Sequence, residues 1–179
     1  MSSVNKARSK PRLTHQRVLA ISALLVAVTG AALPEDASQP VRGTYDNSLL
    51  LLDEGRQVFY GTAEKPAEII QGTLKISGQQ ITIERTDGEI KKIIVTGMLA
   101  HYEQQPAPDQ PMAMANAETI TLDYDTQHMS AVGRVSFSQG GDRLTGCQVD
   151  YYLESRRLVT PTCADGSQAE FVITPREGQ

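Results

Sequence analysis

Beyond residue 40, apolar and polar residues alternate in short runs. "GTLKIS" (72–77) sets Leu74 and Ile76 against Thr73 and Lys75. "QQITIER" (79–85) sets Ile81 and Ile83 against Thr82 and Glu84. "AETITLDYD" (117–125) sets Ile120, Leu122 and Tyr124 against Thr119, Thr121 and Asp123. "GRVSFSQGGDRLTG" (133–146) supplies Val135 and Phe137, a Gly-Gly turn, then Leu144. From Cys147 to Leu153, the residues Cys147, Val149, Tyr151 and Leu153 alternate with Gln148, Asp150 and Tyr152. A period of two is that of a strand with one buried face. "PVRGTYD" (40–46) places Val41, Gly43 and Tyr45 on one side, and "IKKIIVTG" (90–97) reads as a further strand.

Turn residues separate these runs. Asp87-Gly88 supplies the positive φ that a tight turn demands. Short strands spaced this regularly predict an all-β sandwich, barrel or jelly roll. "QQPAPDQPMAMA" (104–115) carries three prolines, which break a strand ladder, and reads as an exposed loop. The tail "TPREGQ" reads as frayed. "ITIERTDGEIKKIIVTG" and "ITLDYDTQHMSAVGRVSFSQG" share the order strand, polar turn, strand, Gly. That similarity fits stacked rungs, and it also fits chance likeness among short strands.

The N-terminal segment follows other rules. Lys6, Arg8, Lys10, Arg12 and Arg17 precede the apolar run "VLAISALLVAV" (18–28), with no acid among the first 32 residues. Gly30 and Ala32 are small residues placed for a cut. This is the layout of a secretory signal, residues 1–32, cleaved after Ala32, with residues 33–179 as one β domain. An uncleaved anchor is the rival. The apolar run is shorter than the roughly 20 residues of a membrane helix.

Removing the signal changes the charge. The chain has 17 basic and 21 acidic residues, and five of the basic ones lie in the signal. The remaining acidic surface speaks against nucleic acid as partner and against peripheral binding to an anionic membrane. An anionic ligand must then be held mainly by apolar burial. At 40% hydrophobic residues without tryptophan, the chain can build a core, though a thin one.

Catalytic patterns are missing. His101 and His128 lack metal-ligand spacing, and neither a G-x-S-x-G elbow nor a phosphate loop occurs. Asp123, Asp125, Asp150 and Glu154 could be read as a glycosidase carboxylate pair. They fall on the polar faces of half-buried strands, where charges are ordinarily just solvated. No cofactor or metal is implied. Cys147 and Cys163 form no C-x-x-C motif, and in an exported protein they can oxidise to a disulfide. If residues 154–156 form a three-residue loop, Leu153 faces Arg157, Tyr151 faces Val159 and Cys147 faces Cys163. A two-residue loop would instead place Leu153 opposite Leu158.

Three segments carry a resemblance: "QPVRGTYD", "GTLKISGQQITIER" and "ANAETITLDYDTQHMSAVGRVSFSQGGDRLTGCQVDYY". The last contains L-x-G-x-x-V-x-Y, here Leu144, Gly146, Val149 and Tyr151. In order and spacing the chain, from about Gln39 to Thr160, resembles the LptA/OstA family of periplasmic proteins that carry lipopolysaccharide to the outer membrane. The resemblance implies a semi-closed antiparallel β jelly roll whose apolar interior shields the acyl chains of lipid A. It also implies an LptC-like inner-membrane partner, an LptD-like outer-membrane partner and head-to-tail joining of copies through strand edges.

On this reading the groove is lined by Val41, Leu74, Ile76, Ile81 and Ile83, then by His101 at a position the family fills with an aromatic. Ile120, Leu122, Tyr124, Val135, Phe137, Val149 and Tyr151 complete it. Leu122 is the foremost candidate for acyl contact. Gly43 and the cysteine pair depart from the family pattern. Two other functions remain open: a membrane-anchored LptC-like component of the same pathway, or a periplasmic β adaptor that binds protein only. For any single inward residue, plain core packing is the competing role.

Overall fold

The computed structural model describes Asp36 and residues 38–175. The expected signal segment, residues 1–32, and its expected cleavage site lie outside the described residues. Among the described residues, twelve strands form one sheet: β1 (Arg42–Thr44), β2 (Asn47–Leu51), β3 (Arg56–Tyr60), β4 (Ala67–Gln71), β5 (Leu74–Gly78), β6 (Gln80–Thr86), β7 (Glu89–Gln104), β8 (Ala113–Asp123), β9 (His128–Gln139), β10 (Asp142–Tyr152), β11 (Arg157–Val159) and β12 (Glu170–Val172). All pairings are antiparallel.

The sheet is folded back on itself. β7 to β10 are long, and each is interrupted near its middle. Register shifts fall between Thr96 and Ala100, between Asn116 and Thr119, and between Gly146 and Gln148. They lie side by side and make one bend line, because bulges increase local twist and bend the strand. In β9 the bend sits at Gly133 and Arg134, with φ of 82° and 48°. A Cβ on Gly133 would come within 2.6 Å of the Glu118 carboxylate. That carboxylate accepts a 2.7 Å bond from Arg134 Nε across the bend.

Two half-sheets result. One runs β1-β4-β5 and on through the C-terminal half of β7 to β12; the other runs β2-β3-β6 and on through the N-terminal half of β7 to β11. Each carries a continuous row of cross-strand partners on its inner face. The first is Gly43, Ile69, Ile76, Tyr102, Ala115, Phe137, Leu144 and Phe171. The second is Leu50, Gln57, Ile83, Ile93, Leu122, Met129, Tyr151 and Leu158. Apart from the residues near the sheet ends, these are buried or packed against the core.

The all-β jelly-roll expectation is borne out, with corrections to its parts. The strands read as short are long where they cross the bend. β7 continues through Gly97 to Gln104, so its buried set shifts from Ile93 and Val95 to Ala100 and Tyr102. The proline-rich loop ends earlier than expected: Ala113 and Ala115 already belong to β8 and are wholly buried. Three strands, β2 to β4, lie where the alternation predicted nothing. Thr174 in the supposedly frayed tail donates its backbone N–H to Asp142 and its hydroxyl to the Gly141 carbonyl.

Candidate functional site

The space between the half-sheets is the candidate site. Leu74, Ile76, Ile81, Ile83, Ile120, Leu122, Val135, Phe137, Val149 and Tyr151 are all buried there, as the alternation predicts. Tyr124, just beyond β8, is half-buried and packs against the same core. Burial pushes its phenol up to about 12. Tyr102 is fully buried, its phenol raised by desolvation, and donates a 2.9 Å bond to Gln104.

Two expected lining residues sit elsewhere. His101 occupies the outer face, because Ala100 and Tyr102 take the inward positions. Its Nδ1 lies 2.9 Å from Asn116 Oδ1 and its Nε2 3.4 Å from Glu103. The register shift in β7 moved the inward position by one residue, onto the aromatic Tyr102. Val41 precedes β1 and is 48% exposed, at the mouth rather than in the interior.

The mouth lies at the β1 end, between the half-sheets. It is a cavity of about 260 Å³ with Val41, Tyr45, Phe59, Ile69 and Ile83 as apolar lining, and Arg42, Glu68 and Arg85 among its polar residues. The rings of Tyr45 and Phe59 lie 5.0 Å apart. The inner-face residues form one buried cluster, whereas Val41 and Tyr45 at the mouth are exposed. Ile69, Ile93, Tyr102 and Met129 were missed as inner-face residues. Met129 alternates with Ser130 and Ala131 inside a stretch whose polar neighbours read as a turn.

The outer face is polar and paired. Asp123 accepts the Thr126 backbone N–H, which holds its carboxyl below the usual range, and Lys92 lies 3.7 Å away. Asp125 pairs with Lys91 at 3.1 Å. Asp150 meets His128 at 3.1 Å, and Gln148 donates to it at 2.9 Å. Glu154 is exposed in the β10–β11 turn. The four carboxylates therefore do not converge on a cleft.

Cys147 and Cys163 are disulfide-bonded, but neither expected register delivers the bond. Tyr151 pairs with Leu158 and Tyr152 with Arg157. β11 then ends at Val159, and residues 160–169 cross the bend from one half-sheet to the other. Cys163 in that crossing reaches Cys147 at the register shift of β10, Cα to Cα 5.8 Å.

Comparison with known proteins agrees with this architecture. Residues 58–157 match the family model described as LptA/(LptD N-terminal domain) LPS transport protein. The lipopolysaccharide export system protein LptH of Pseudomonas aeruginosa is 29% identical over 160 residues, covering 89% of this chain and 87% of LptH. The crystal structure of LptH, the LptA-homologous periplasmic component of the lipopolysaccharide transport device of that organism, superposes with a TM-score of 0.69 at 25% identity, covering 79% of this chain and all of the other. A folded-back antiparallel sheet with an apolar interior, matched over more than half its length by that model, places the chain in the LptA/LptD N-terminal domain family of lipopolysaccharide transport proteins.

Proposed function

We propose that this chain is a periplasmic carrier that shields the acyl chains of lipopolysaccharide on their way to the outer membrane. The observation that carries this is the pair of apolar rows facing each other between the half-sheets, with a cavity at the β1 mouth beside their first residues. Exposing a methylene to water costs about 0.8 kcal/mol. For a lipid with several acyl chains this reaches tens of kcal/mol, so a protein interior must take the bilayer's place as solvent. Aliphatic inner side chains suit this task because they offer burial without directional bonds, and the cargo can move on.

The inner rows are buried, so entry requires the half-sheets to part on the side away from the bend. The bend line stays closed, held by four continuous strands. Acyl chains entering from the mouth would first meet Val41, Phe59, Ile69 and Ile83, then Leu122 and its row. The two free ends of the sheet support head-to-tail joining of copies, and of LptC-like and LptD-like partners, by strand addition. Asp123, Asp125 and Asp150 are paired on the outer face and Glu154 lies in an exposed turn, an arrangement that speaks against a glycan-active carboxylate pair.

The test is uptake. Purified folded protein mixed with lipopolysaccharide should elute with bound lipid, detectable in the protein fraction. Folded protein that elutes lipid-free at every ratio tried would refute the carrier reading and favour a protein-only adaptor.

A further inference from the structure

Arg85 is a cation on the inner-face side of the sheet. It follows Ile81 and Ile83 at the same parity of β6 and pairs with Ile90, whose side chain packs against the core. β6 leads away from the bend, so Arg85 closes the inner face on the side away from it. β1 leads toward the bend, so its first residue, Arg42, stands on that same side of the facing half-sheet. Arg42 alternates with the inward Gly43, on an edge strand with no outer neighbour to confine it. Both arginines line the mouth cavity, one from each half-sheet.

Their charges are uncompensated. Every lysine among the described residues has a carboxylate partner, and so do Arg56 and Arg134. Neither Arg42 nor Arg85 has such a partner among the described residues. Asp53 and Asp87 share a neighbouring cavity with Arg85 but stay beyond ion-pair distance. Glu68, the carboxylate of the mouth cavity, is taken by Lys75 at 2.8 Å.

The mouth therefore combines an apolar lining with two unpaired guanidinium groups. Like charges flanking one cavity repel each other, and an anion between them removes that cost. A guanidinium fork meets the oxygens of a phosphate two at a time. An apolar chain would fill the lining and a phosphate the rim, so the mouth suits a molecule that carries both.

Resting on the carrier reading above, we propose that Arg42 and Arg85 clamp a phosphate of a phosphorylated glycolipid head group, while an acyl chain of the same molecule enters the mouth cavity. The clamp orients the cargo. Chains point between the half-sheets, and the charged sugar head stays in water on the side away from the bend. Both arginines are exposed, so the attraction is modest and screened by salt, and the head group can leave again.

The experiment uses the oxidised mature chain and the displacement of a bound fluorescent fatty acid. The competitors are bisphosphorylated lipid A and the same lipid stripped of its phosphates. The parent should bind the phosphorylated lipid about tenfold more tightly, as two exposed charge-assisted contacts allow. The Arg42→Gln/Arg85→Gln double variant, with the circular dichroism of the parent, should bind both lipids as the parent binds the stripped one. Arg134→Gln, which removes the same charge at the bend, should keep the preference. Rising salt should erase the preference of the parent and leave its binding of stripped lipid unchanged, a readout that needs no variant.

Equal binding of the two lipids by the parent would overturn the clamp, and so would a preference that survives in the double variant or in high salt. A folded double variant that loses both lipids alike would place the arginines on the acyl path and overturn it too. Inorganic phosphate alone should not displace the lipid, because it brings no acyl chain. Displacement by it at the lipid's own concentration would assign the site to the free ion and overturn the head group as its ligand. A parent that takes up neither lipid refutes the carrier reading itself, whereas uptake of both without preference refutes only the clamp.

Discussion

Cys147 and Cys163 are joined across the bend of the sheet, not along a pair of hydrogen-bonded strands. The bond closes a short loop, with a sequence separation of 16. By chain entropy such a loop is stabilised by about 3 kcal/mol. Replacing both cysteines with serine should therefore lower the denaturation midpoint by an amount on that order. The transition should stay single and cooperative, because neither row depends on the bond. Urea unfolding followed by circular dichroism measures it; an unchanged midpoint would mean that the crossing is held by other contacts.

The parity of β8 separates lipid contact from surface contact. Leu122 faces the interior and Thr121 the outer face, so a one-residue step reverses the environment. A photoreactive side chain at 122 should crosslink to lipopolysaccharide, and one at 121 should not. Equal yields at the two positions would remove Leu122 from the lipid path. Leu122→Asp should destabilise the fold by several kcal/mol, since it buries an unpaired carboxylate.

His101 and Tyr102 are adjacent but face opposite sides. Tyr102→Ala should cost about 3–5 kcal/mol through the cavity it leaves. His101→Ala should stay within about 1 kcal/mol, because a partly exposed imidazole loses only modest hydrogen bonds. Thermal unfolding of the two variants decides the matter. A large loss at 101 would contradict the outer placement.

Alkaline pH should destabilise the fold through its tyrosines. Burial raises the phenols of Tyr102, Tyr124 and Tyr151 in the folded state. Each group's contribution is complete below the ordinary tyrosine range, about 10. It is lost as pH rises, because the unfolded chain ionises first. For Tyr124 the loss runs up to its folded value of about 12. Tyr124→Phe should flatten the stability–pH curve between these limits by at most 2–3 kcal/mol, as about two pH steps of linkage allow. A curve with unchanged slope would show that Tyr124 ionises freely in the fold.

Alternation within single strands was decided by local sequence. A residue's neighbours two positions away set its face, so Leu74, Ile76, Ile81, Ile83, Ile120, Leu122, Val149 and Tyr151 could be placed inward without knowledge of the fold. The family pattern was legible for the same reason, since it consists of such strands and the turns between them. The bend was not. Alternation carries no mark of where a strand will bulge, and each bulge shifts the count by one. That shift placed His101 outside and Tyr102 inside, and extended β8 back to the small residues Ala113 and Ala115. The run Leu49–Leu52 has no period of two, so only pairing with β3 made β2 a strand. The disulfide partner was legible because only two cysteines exist; its geometry was not, because Cys163 lies beyond the last residue of β11 and reaches Cys147 by crossing the bend. Which residues end the two inner rows, Gly43 and Leu50 at one edge and Phe171 and Leu158 at the other, depends on long-range strand order, a property of the folded sheet and of no local stretch of sequence.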